Sequence, residues 1–279
     1  MDSLTPATPA KTDALARRYG IEALPPAGPW NETIATMLDH RSVRSYKPDP
    51  VPAGALESMI AAAQSAATSS NMQWWSAVAV TDPAKKKVLA EIAGGQKHIE
   101  QCPLFIAWIA DMSRNQRISN ATKTPFETMP WLETFMVASI DAALAAQNAV
   151  VAAESMGLRT VYIGAMRNDP GRVAELLGLP PQTVVVFGLC VGYATEKGAG
   201  EVKPRLPQAV VLHTERYDAS KEEALRAAYD VEMSKFSARH ELQAATWTQR
   251  VLNRLGPIKA MNGRETLRAA LAKMGFEIR

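Results

Sequence analysis

His40-Arg41-Ser42-Val43-Arg44-Ser45-Tyr46 places two guanidiniums, an imidazole and two serine hydroxyls within one short stretch of the chain. Arg41 and Arg44 are three positions apart, so a helical turn would put them on one face and an extended segment on opposite faces. A guanidinium can grip phosphate oxygens with two parallel bonds, and hydroxyls and backbone N–H groups add further donors. The stretch therefore predicts either an anion-binding site or an ordinary solvated basic turn.

Two segments elsewhere in the chain bear on that choice. Lys203-Pro204-Arg205 is a second basic segment, and a fold that joins it to the first would bring four cations to one anion. The loop 68–73, Thr-Ser-Ser-Asn-Met-Gln, is small and polar, which suits the close approach of backbone amides to a planar polar ligand. An ordinary helix-ending turn is the alternative interpretation of this loop.

The composition excludes some classes of protein. The 279 residues are 47% hydrophobic and 21% charged, which predicts a soluble globular chain with one large domain or two small ones. A net charge of +3 is too small to indicate nucleic-acid binding. The longest run of cations, Lys85-Lys86-Lys87, follows Asp82-Pro83, and we interpret it as the solvated face of a helix.

The two cysteines and the apolar segments bear on location. Cys102 and Cys190 lack the spacing of a metal site, and only four histidines are spread along the chain. No apolar run approaches the roughly 20 residues that cross a bilayer, and residues 1–30 lack the pattern of a secretory signal. We therefore expect a cytoplasmic protein without a membrane partner.

Periodicity and turn residues predict alternating helices and strands. Asn31 is the expected N-cap of a short helix that ends at Leu38. Residues 1–30, rich in Pro, Ala and Thr, are expected to form an arm. His98 begins a short helix, and we expect it on a solvent face without a chemical role. Strands are expected at 76–81, 104–110, 159–165 and 183–191, and longer helices at 53–66, 83–92, 132–156, 170–177, 220–237, 247–255 and 264–274.

Two consecutive segments differ sharply in character. Residues 111–131 are mostly polar and are expected to form a mobile loop of the kind that often serves as a lid. Residues 132–156 carry apolar side chains and alanine on nearly every face, which predicts a helix buried centrally or in a subunit interface.

The chain lacks the common catalytic motifs. It contains no Gly-x-Gly-x-x-Gly turn, Walker A loop, His-Glu-x-x-His helix or Gly-x-Ser-x-Gly elbow. A chain with many anion donors and few catalytic acids or nucleophiles favours a bound cofactor that performs the chemistry.

Six blocks of sequence, taken together, carry a family resemblance: 40–44, 68–73, Gly94-Gly95-Gln96-Lys97-His98, Val161-Tyr162-Ile163-Gly164, Phe187-Gly188-Leu189 and Lys203-Pro204-Arg205-Leu206-Pro207. In this order and spacing they closely resemble the oxygen-insensitive NADPH nitroreductase and NADPH–flavin oxidoreductase family, over about residues 34–260.

The resemblance implies the nitroreductase fold, an α+β architecture with a central, mainly antiparallel sheet flanked by helices, in an intertwined homodimer. It implies a single FMN-binding domain over 31–279 with a helical C-terminal extension. The implied activity is a ping-pong, two-electron reduction of nitroaromatics, quinones or flavins, with NADPH as cosubstrate and NADH as an alternative. FMN carries the hydride at N5, so no side chain is assigned as catalytic.

The resemblance also implies the residues of the site. The FMN phosphate is assigned to His40, Arg41, Ser42 and Arg205, and the pyrimidine edge of the ring to Arg44 and Lys203. The ring and ribityl chain are assigned to Thr68, Ser69, Ser70, Gln96, Tyr162, Ile163, Gly164 and Ala165. Arg239 is assigned to the phosphate of NADPH.

The chain departs from the family pattern at several positions. Ala165 replaces a second glycine, and His240-Glu241-Leu242-Gln243-Ala244-Ala245 replaces a basic cluster after Arg239, which leaves the preference for NADPH over NADH open. Two other functions stay open: another reductive enzyme of the same fold, such as a dehalogenase or ene-type reductase, and a non-catalytic flavin- or anion-binding protein.

Overall fold

The computed structural model describes residues 8–20, 24–25, 28–243 and 245–279, without the side chains of residues 8–10. The chain divides into two compact units, Met1–Arg41 with Glu201–Met261 (the first unit) and Ser42–Gly200 with Asn262–Arg279 (the second unit). The predicted arm over 1–30 lies partly outside the described residues. That arm and the predicted single domain over 31–279 stay predictions.

Helices and strands follow the sequence pattern closely in the described part of the chain. The helices are α1 (Thr8–Tyr19), α2 (Glu32–Leu38), α3 (Ala55–Gln64), α4 (Pro83–Ile92), α5 (Lys97–Gln101), α6 (Ser113–Thr122), α7 (Leu132–Ser155), α8 (Pro170–Leu177), α9 (Gln208–Val211), α10 (Glu222–Arg239), α11 (Trp247–Leu255) and α12 (Leu267–Lys273). The strands are β1 (Trp75–Val80), β2 (Leu104–Asp111), β3 (Arg159–Ile163) and β4 (Thr183–Gly192). Asn31 caps α2 as predicted, since its side chain accepts a hydrogen bond from the backbone N–H of Ile34.

The second unit is built on one antiparallel sheet with the strand order β1-β2-β4-β3. Alternate residues of β2 face opposite sides: Trp108 joins a core with α3 and α7, and Phe105 joins a core with α4 and α8. Gly188 faces Phe105 across the β2–β4 pair, and a Cβ atom there would lie 2.1 Å from the phenyl ring. The fold is therefore α+β with helices on both faces of the sheet, as the resemblance implied.

Helix α7 is buried along one face only. Alanines at 138, 142, 145, 146, 149 and 153 are fully buried, which lets the helix approach the sheet closely. Along a second stripe, Leu132, Met136, Ile140 and Leu144 are 44–52% exposed in the single chain. By length and composition α7 also meets the criterion for a membrane span, contrary to the prediction that no segment would, but its alanine face packs in the core.

The expected mobile loop at 111–131 contains a helix instead. The buried carboxylate of Asp111 accepts bonds from the backbone N–H and the hydroxyl of Ser113, at 3.0 and 2.6 Å, which fixes the first turn of α6. Burial raises the pKa of Asp111, but hydrogen bonds from Ser113 and Ser76 outweigh it and hold that pKa below its ordinary value. The polar sequence hid this helix because Ser113, Asn115 and Ser119, rather than apolar residues, form its buried face.

Two side chains predicted on solvent faces, Lys86 and His98, are buried, whereas Lys85 and Lys87 are exposed as predicted. Lys86 shares the buried face of α4 with Leu89, and its ammonium donates to the carbonyl oxygen of Cys102 at 2.6 Å. A lysine can lie there because its stem packs like an apolar side chain while its charge finds an acceptor. His98 is 9% exposed, and burial, followed by the charge of Arg44, lowers its pKa.

The first unit has a small core of its own. Tyr229, Met233 and Phe236 on α10 are buried, and Leu206 and Trp247 pack against them. The indole of Trp247 lies at the start of α11, where Thr246 caps the helix by accepting a bond from the N–H of Gln249. This core holds the segment that carries Lys203 and Arg205 beside α10.

Candidate functional site

A buried arginine, Arg18, joins the two basic segments of the first unit. Its guanidinium donates to the carbonyl oxygens of Leu38 and His40 at 2.6 and 3.0 Å, and to that of Lys203 at 2.9 Å. The backbone N–H of Arg205 in turn donates to the carbonyl oxygen of Arg18 at 2.9 Å. The segments at 38–40 and 203–205, far apart in sequence, are therefore held together by one side chain.

Residues 203–206 are also anchored from the side of α10. The hydroxyl of Tyr229 donates to the carbonyl oxygen of Pro204 at 2.9 Å, and burial raises the pKa of this tyrosine. The ammonium of Lys203 lies 5.9 Å from the centre of the Phe236 ring, within the range of a cation–π contact. With its backbone held on both sides, Arg205 keeps an exposed guanidinium.

Arg41 is the last residue of the first basic segment that belongs to the first unit. Its guanidinium is 3.0 Å from the carboxylate of Asp39, and both side chains are partly exposed. Within the first unit Arg18 therefore joins the backbone at His40 to the backbone at Lys203 and Arg205, with Arg41 next in the chain. The assignment of these residues to one ligand stays a prediction.

Ser42 and Arg44 lie in the second unit, in extended backbone rather than in a helical turn. Val43 is buried at 1% exposure, while its neighbours Ser42 and Arg44 are exposed, as the alternation of an extended segment requires. Val43 donates its backbone N–H to Thr160 on β3 at 3.0 Å. The shared helical face considered for Arg41 and Arg44 is therefore wrong, and β3 is the element that positions Ser42 and Arg44.

The polar loop 68–73 is organised by Asp141, a carboxylate of α7 that is 2% exposed. Asp141 accepts bonds from the hydroxyl of Thr68, from the backbone N–H of Ser69 at 3.1 Å and from that of Trp74 at 3.3 Å. Arg114 holds the far end of the loop by donating to the carbonyl oxygen of Gln73 at 2.9 Å.

Three residues of this loop adopt left-handed backbone conformations. Ser70, Asn71 and Gln73 have φ values of 50°, 57° and 51°. Such conformations cost side-chain-bearing residues of order 1 kcal/mol or more each and persist where the surroundings fix them, often at functional sites. Asp141 supplies that constraint, so the loop is built to hold its backbone in a conformation that the local sequence disfavours.

The remaining predicted residues of the second unit lie at element ends. Gln96 precedes α5 and donates to the carbonyl oxygen of Ala93 at 2.9 Å. Tyr162 packs edge-on against Phe187 at 5.0 Å between ring centres, and burial, followed by the charge of Glu154, raises its pKa. Ile163 is 2% exposed with its side chain in the core, so only its backbone can face a ligand.

Gly164 and Ala165 follow β3 in a short 3-10 turn. A Cβ atom at Gly164 would lie 3.3 Å from the guanidinium of Arg167, which donates to the carbonyl oxygen of Val186. Ala165 packs partly against the core. This turn thus offers a glycine surface beside a fixed cation.

Arg239, assigned to the cosubstrate, is paired in this structure. Its guanidinium donates twice to one carboxylate oxygen of Glu201, at 2.9 and 3.2 Å, and lies 5.9 Å from the Phe236 ring centre. Hydrogen bonding to Arg239 lowers the pKa of Glu201, so the pair is ionised at neutral pH.

Sequence reasoning missed the two residues that organise these segments, Arg18 and Asp141. A signal existed for Asp141, since it is the only acidic residue between Glu133 and Glu154 in a helix rich in alanine and apolar residues. For Arg18 no comparable signal existed, since residues 1–30 predicted only an arm. Both positions are buried charges, which need bonding partners and are rarely incidental.

The donor chemistry matches a phosphorylated ligand with a flat polar ring. Exposed guanidiniums and a lysine suit phosphate and the electron-rich edge of a ring, and a strained polar loop suits close backbone approach. Among the described residues no group of three or more His, Cys, Asp or Glu side chains is arranged to hold a metal ion.

Comparison with known proteins gives the family. Residues 37–193 match the Nitroreductase family, and residues 203–279 match the Nitroreductase family, C-terminal domain. The chain belongs to the nitroreductase family.

Individual relatives cover most of the chain. The FMN reductase (NADPH) of Bacillus subtilis strain 168 is 37% identical over 228 residues, which is 80% of this chain and 91% of that protein. The NADPH-flavin oxidoreductase of Vibrio harveyi is 37% identical over 227 residues, 81% of this chain and 91% of its own length. The solved structure of NfrA2 from B. megaterium superposes with a TM-score of 0.83 at 38% identity, covering 90% of this chain and all of that one.

Proposed function

We propose that this chain is an FMN-dependent NAD(P)H oxidoreductase that reduces nitroaromatics, quinones or flavins by two electrons in a ping-pong reaction. The observation that carries the proposal is the Arg18 arrangement, which holds the His40 and Lys203–Arg205 segments together in a family whose relatives include FMN and flavin reductases. His40 and Arg205, two of the residues assigned to the phosphate, lie on segments that Arg18 joins within the first unit, which supports the proposal; Ser42 belongs to the second unit.

The phosphate of FMN is assigned to His40, Arg41, Ser42 and Arg205. Arg205 contributes an exposed guanidinium on a backbone that Arg18 and Tyr229 fix. Binding therefore costs the conformational entropy of the Arg205 side chain but little backbone entropy. Arg41 contributes a second guanidinium, which is paired with Asp39 at 3.0 Å.

The ring of FMN is assigned to cations at its pyrimidine edge and to backbone on its faces. FMN bound there would supply the chemistry, namely hydride uptake from NAD(P)H and two-electron reduction of the acceptor. Arg44 and Lys203 are assigned to the ring edge, where a cation would stabilise the negative charge that develops on reduction. The loop containing Thr68, Ser69 and Ser70, together with Gln96, Tyr162, Gly164, Ala165 and the backbone of Ile163, orients the ring and ribityl chain.

NADPH is the proposed cosubstrate, with Arg239 near its phosphate. Because Glu201 already neutralises Arg239, the added phosphate gains less there than at an unpaired guanidinium. NADH is therefore a realistic second cosubstrate for this chain.

The assembly is proposed to be a homodimer that acts in the cytoplasm on small-molecule acceptors, with no nucleic-acid or membrane partner. The exposed apolar stripe of α7, Leu132 to Leu144 at intervals of four residues, is the surface that a second copy is expected to cover. Free, buried Cys102 and Cys190 fit a reducing compartment.

Anaerobic stopped-flow spectroscopy tests the function directly. Mixing the flavin-loaded chain with NADPH or NADH is expected to bleach the flavin absorbance rapidly, and addition of a quinone or nitroaromatic is expected to restore it. A storage protein would keep its colour on mixing with either nucleotide. A dehalogenase or ene-type reductase would regain its colour only with a halogenated or unsaturated acceptor.

Arg205→Ala tests the phosphate assignment. We expect a loss of about 1.5–3 kcal/mol in FMN binding free energy, the contribution of one charge-assisted hydrogen bond. Fluorescence titration of the apoprotein with FMN measures it, and Arg216→Ala, an exposed arginine of the same unit, is the matched control. Equal FMN affinity in the two variants contradicts the assignment.

A further inference from the structure

A cavity of about 430 Å³ lies within the second unit, beside the loop 68–73. Its walls are largely apolar and come from Met72, Trp74, Met112, Phe126 and Met129. The volume exceeds many times the space of one water molecule and falls in the range of small-molecule sites, about 300–1,000 Å³. Methionine walls adapt their shape to an occupant, so this cavity suits an organic ligand better than ordered water.

One side chain supplies a specific polar contact in this cavity. Asn115, in the first turns of α6, lines the cavity and is 9% exposed, and among the described residues its carboxamide makes no hydrogen bond. Among the other polar wall groups, the Thr134 hydroxyl donates to the carbonyl oxygen of Thr128 at 2.6 Å, and Glu127 and Thr128 are exposed to solvent. The indole N–H of Trp74 lacks a partner among the described residues, but its nitrogen is fully buried and so is not open to an occupant. Because this carboxamide has no protein partner, an occupant that accepts its hydrogen bond is favoured over one of the same shape that cannot.

We propose that this cavity binds a flat, neutral molecule of about two rings that carries one carbonyl-type oxygen. Apolar rings lie against the methionines, Trp74 and Phe126, and the carbonyl oxygen accepts a hydrogen bond from Nδ2 of Asn115. Glu127 on the lining disfavours anions, and the apolar walls disfavour a charged group of either sign, so a neutral ligand is favoured. The site needs no flavin and is independent of the proposed reductase activity.

Because Met72 and Trp74 continue directly from the strained loop, an occupant would also touch the segment that Asp141 organises. Binding in the cavity could therefore change the conformation of the loop 68–73 through Met72 and Trp74, without movement of another element.

Equilibrium dialysis tests the site with coumarin, a neutral two-ring lactone, and with naphthalene, which has the same shape without the carbonyl. The full-length chain is used both saturated with FMN and without added FMN. Coumarin is expected to bind at one site per chain under both conditions. Asn115→Leu should weaken coumarin about tenfold, the effect of one hydrogen bond, and leave naphthalene unchanged.

Two further variants complete the test. Asn120→Leu makes the same chemical change on the exposed side of α6 and should leave coumarin affinity unchanged. Met129→Trp fills the cavity and should abolish binding of both compounds, with far-UV circular dichroism confirming the fold of each variant. Absence of coumarin binding, or binding that neither Asn115→Leu nor Met129→Trp alters, overturns the proposal. If the chain fails to bind FMN while coumarin binds as expected, the proposed function fails and the cavity proposal stands.

Discussion

Arg18 in the first unit and Asp141 in the second unit are both buried charges, at 5% and 2% exposure, and both bond to backbone groups. Arg18 donates to carbonyls from segments that lie 20, 22 and 185 positions away in sequence. Asp141 accepts from groups that all belong to one short stretch, 68–74. One charge therefore fixes which segments are neighbours, and the other fixes the conformation of a single loop.

The difference shows that a site can depend on two kinds of buried charge, one that joins segments distant in sequence and one that fixes a single loop. Loss of the long-range organiser separates segments, while loss of the local organiser leaves the fold intact and releases a strained loop. Substitution of Arg18 and substitution of Asp141 should therefore affect stability and ligand binding differently.

Arg18→Met should have the largest effect. Three carbonyl oxygens lose a charged donor, and we expect a decrease of about 3–4 kcal/mol in the free energy of unfolding, together with strongly reduced FMN retention. Urea denaturation followed by circular dichroism measures the stability. Arg17→Met, at the exposed neighbouring position, should change it by less than about 0.5 kcal/mol. If the two variants are equally stable, Arg18 does not organise the unit.

Asp141→Ala should have the next largest effect. It leaves one hydroxyl and two backbone N–H groups without their acceptor, which predicts a loss of about 2–3 kcal/mol. FMN affinity should fall by more than this stability loss alone explains, because the loop leaves its left-handed conformations. Glu133→Ala, an exposed carboxylate on the same helix, is the control. Unchanged FMN affinity in Asp141→Ala would remove the loop from the cofactor site.

Ser70→Gly sharpens the comparison because it relieves strain only in the loop that Asp141 organises. At φ 50° glycine is the less strained residue, so we expect a gain of up to about 1 kcal/mol in stability. Ser69→Gly, at a neighbouring position of ordinary φ, should lower stability by about 0.5–1 kcal/mol. Thermal unfolding of the pair measures the difference, and equal shifts would show that the loop stores no strain.

Glu201→Gln should have the smallest effect, since its pair with Arg239 is exposed. An exposed pair contributes roughly 0–1 kcal/mol, so stability should hardly change. Freeing Arg239 should instead lower the KM for NADPH about two- to threefold, with the KM for NADH unchanged. Glu223→Gln on α10 is the control. A matching change for both nucleotides would place Arg239 away from the cosubstrate phosphate.

Local signals in the sequence predicted most elements of this fold. Asn31 as a helix cap, the strands at 104–110 and 183–191, and the three C-terminal helices follow from periodicity and turn chemistry, which act over a few residues. The helix over Ser113–Thr122 was missed because its buried face is polar, so hydrophobic periodicity carried no signal. Lys86 was predicted to be exposed for the same reason, because a charged residue occupies a position on the buried face of α4.

The sequence by itself determined the residue types of the candidate site: the basic stretch at 40–46, the basic segment at 203–205 and the polar loop at 68–73. Tertiary structure alone decided that Arg18 joins the first two and that Asp141 holds the third. The physical reason is that a buried charge is stabilised by partners brought to it from elsewhere in the chain, and composition or spacing records only the charge.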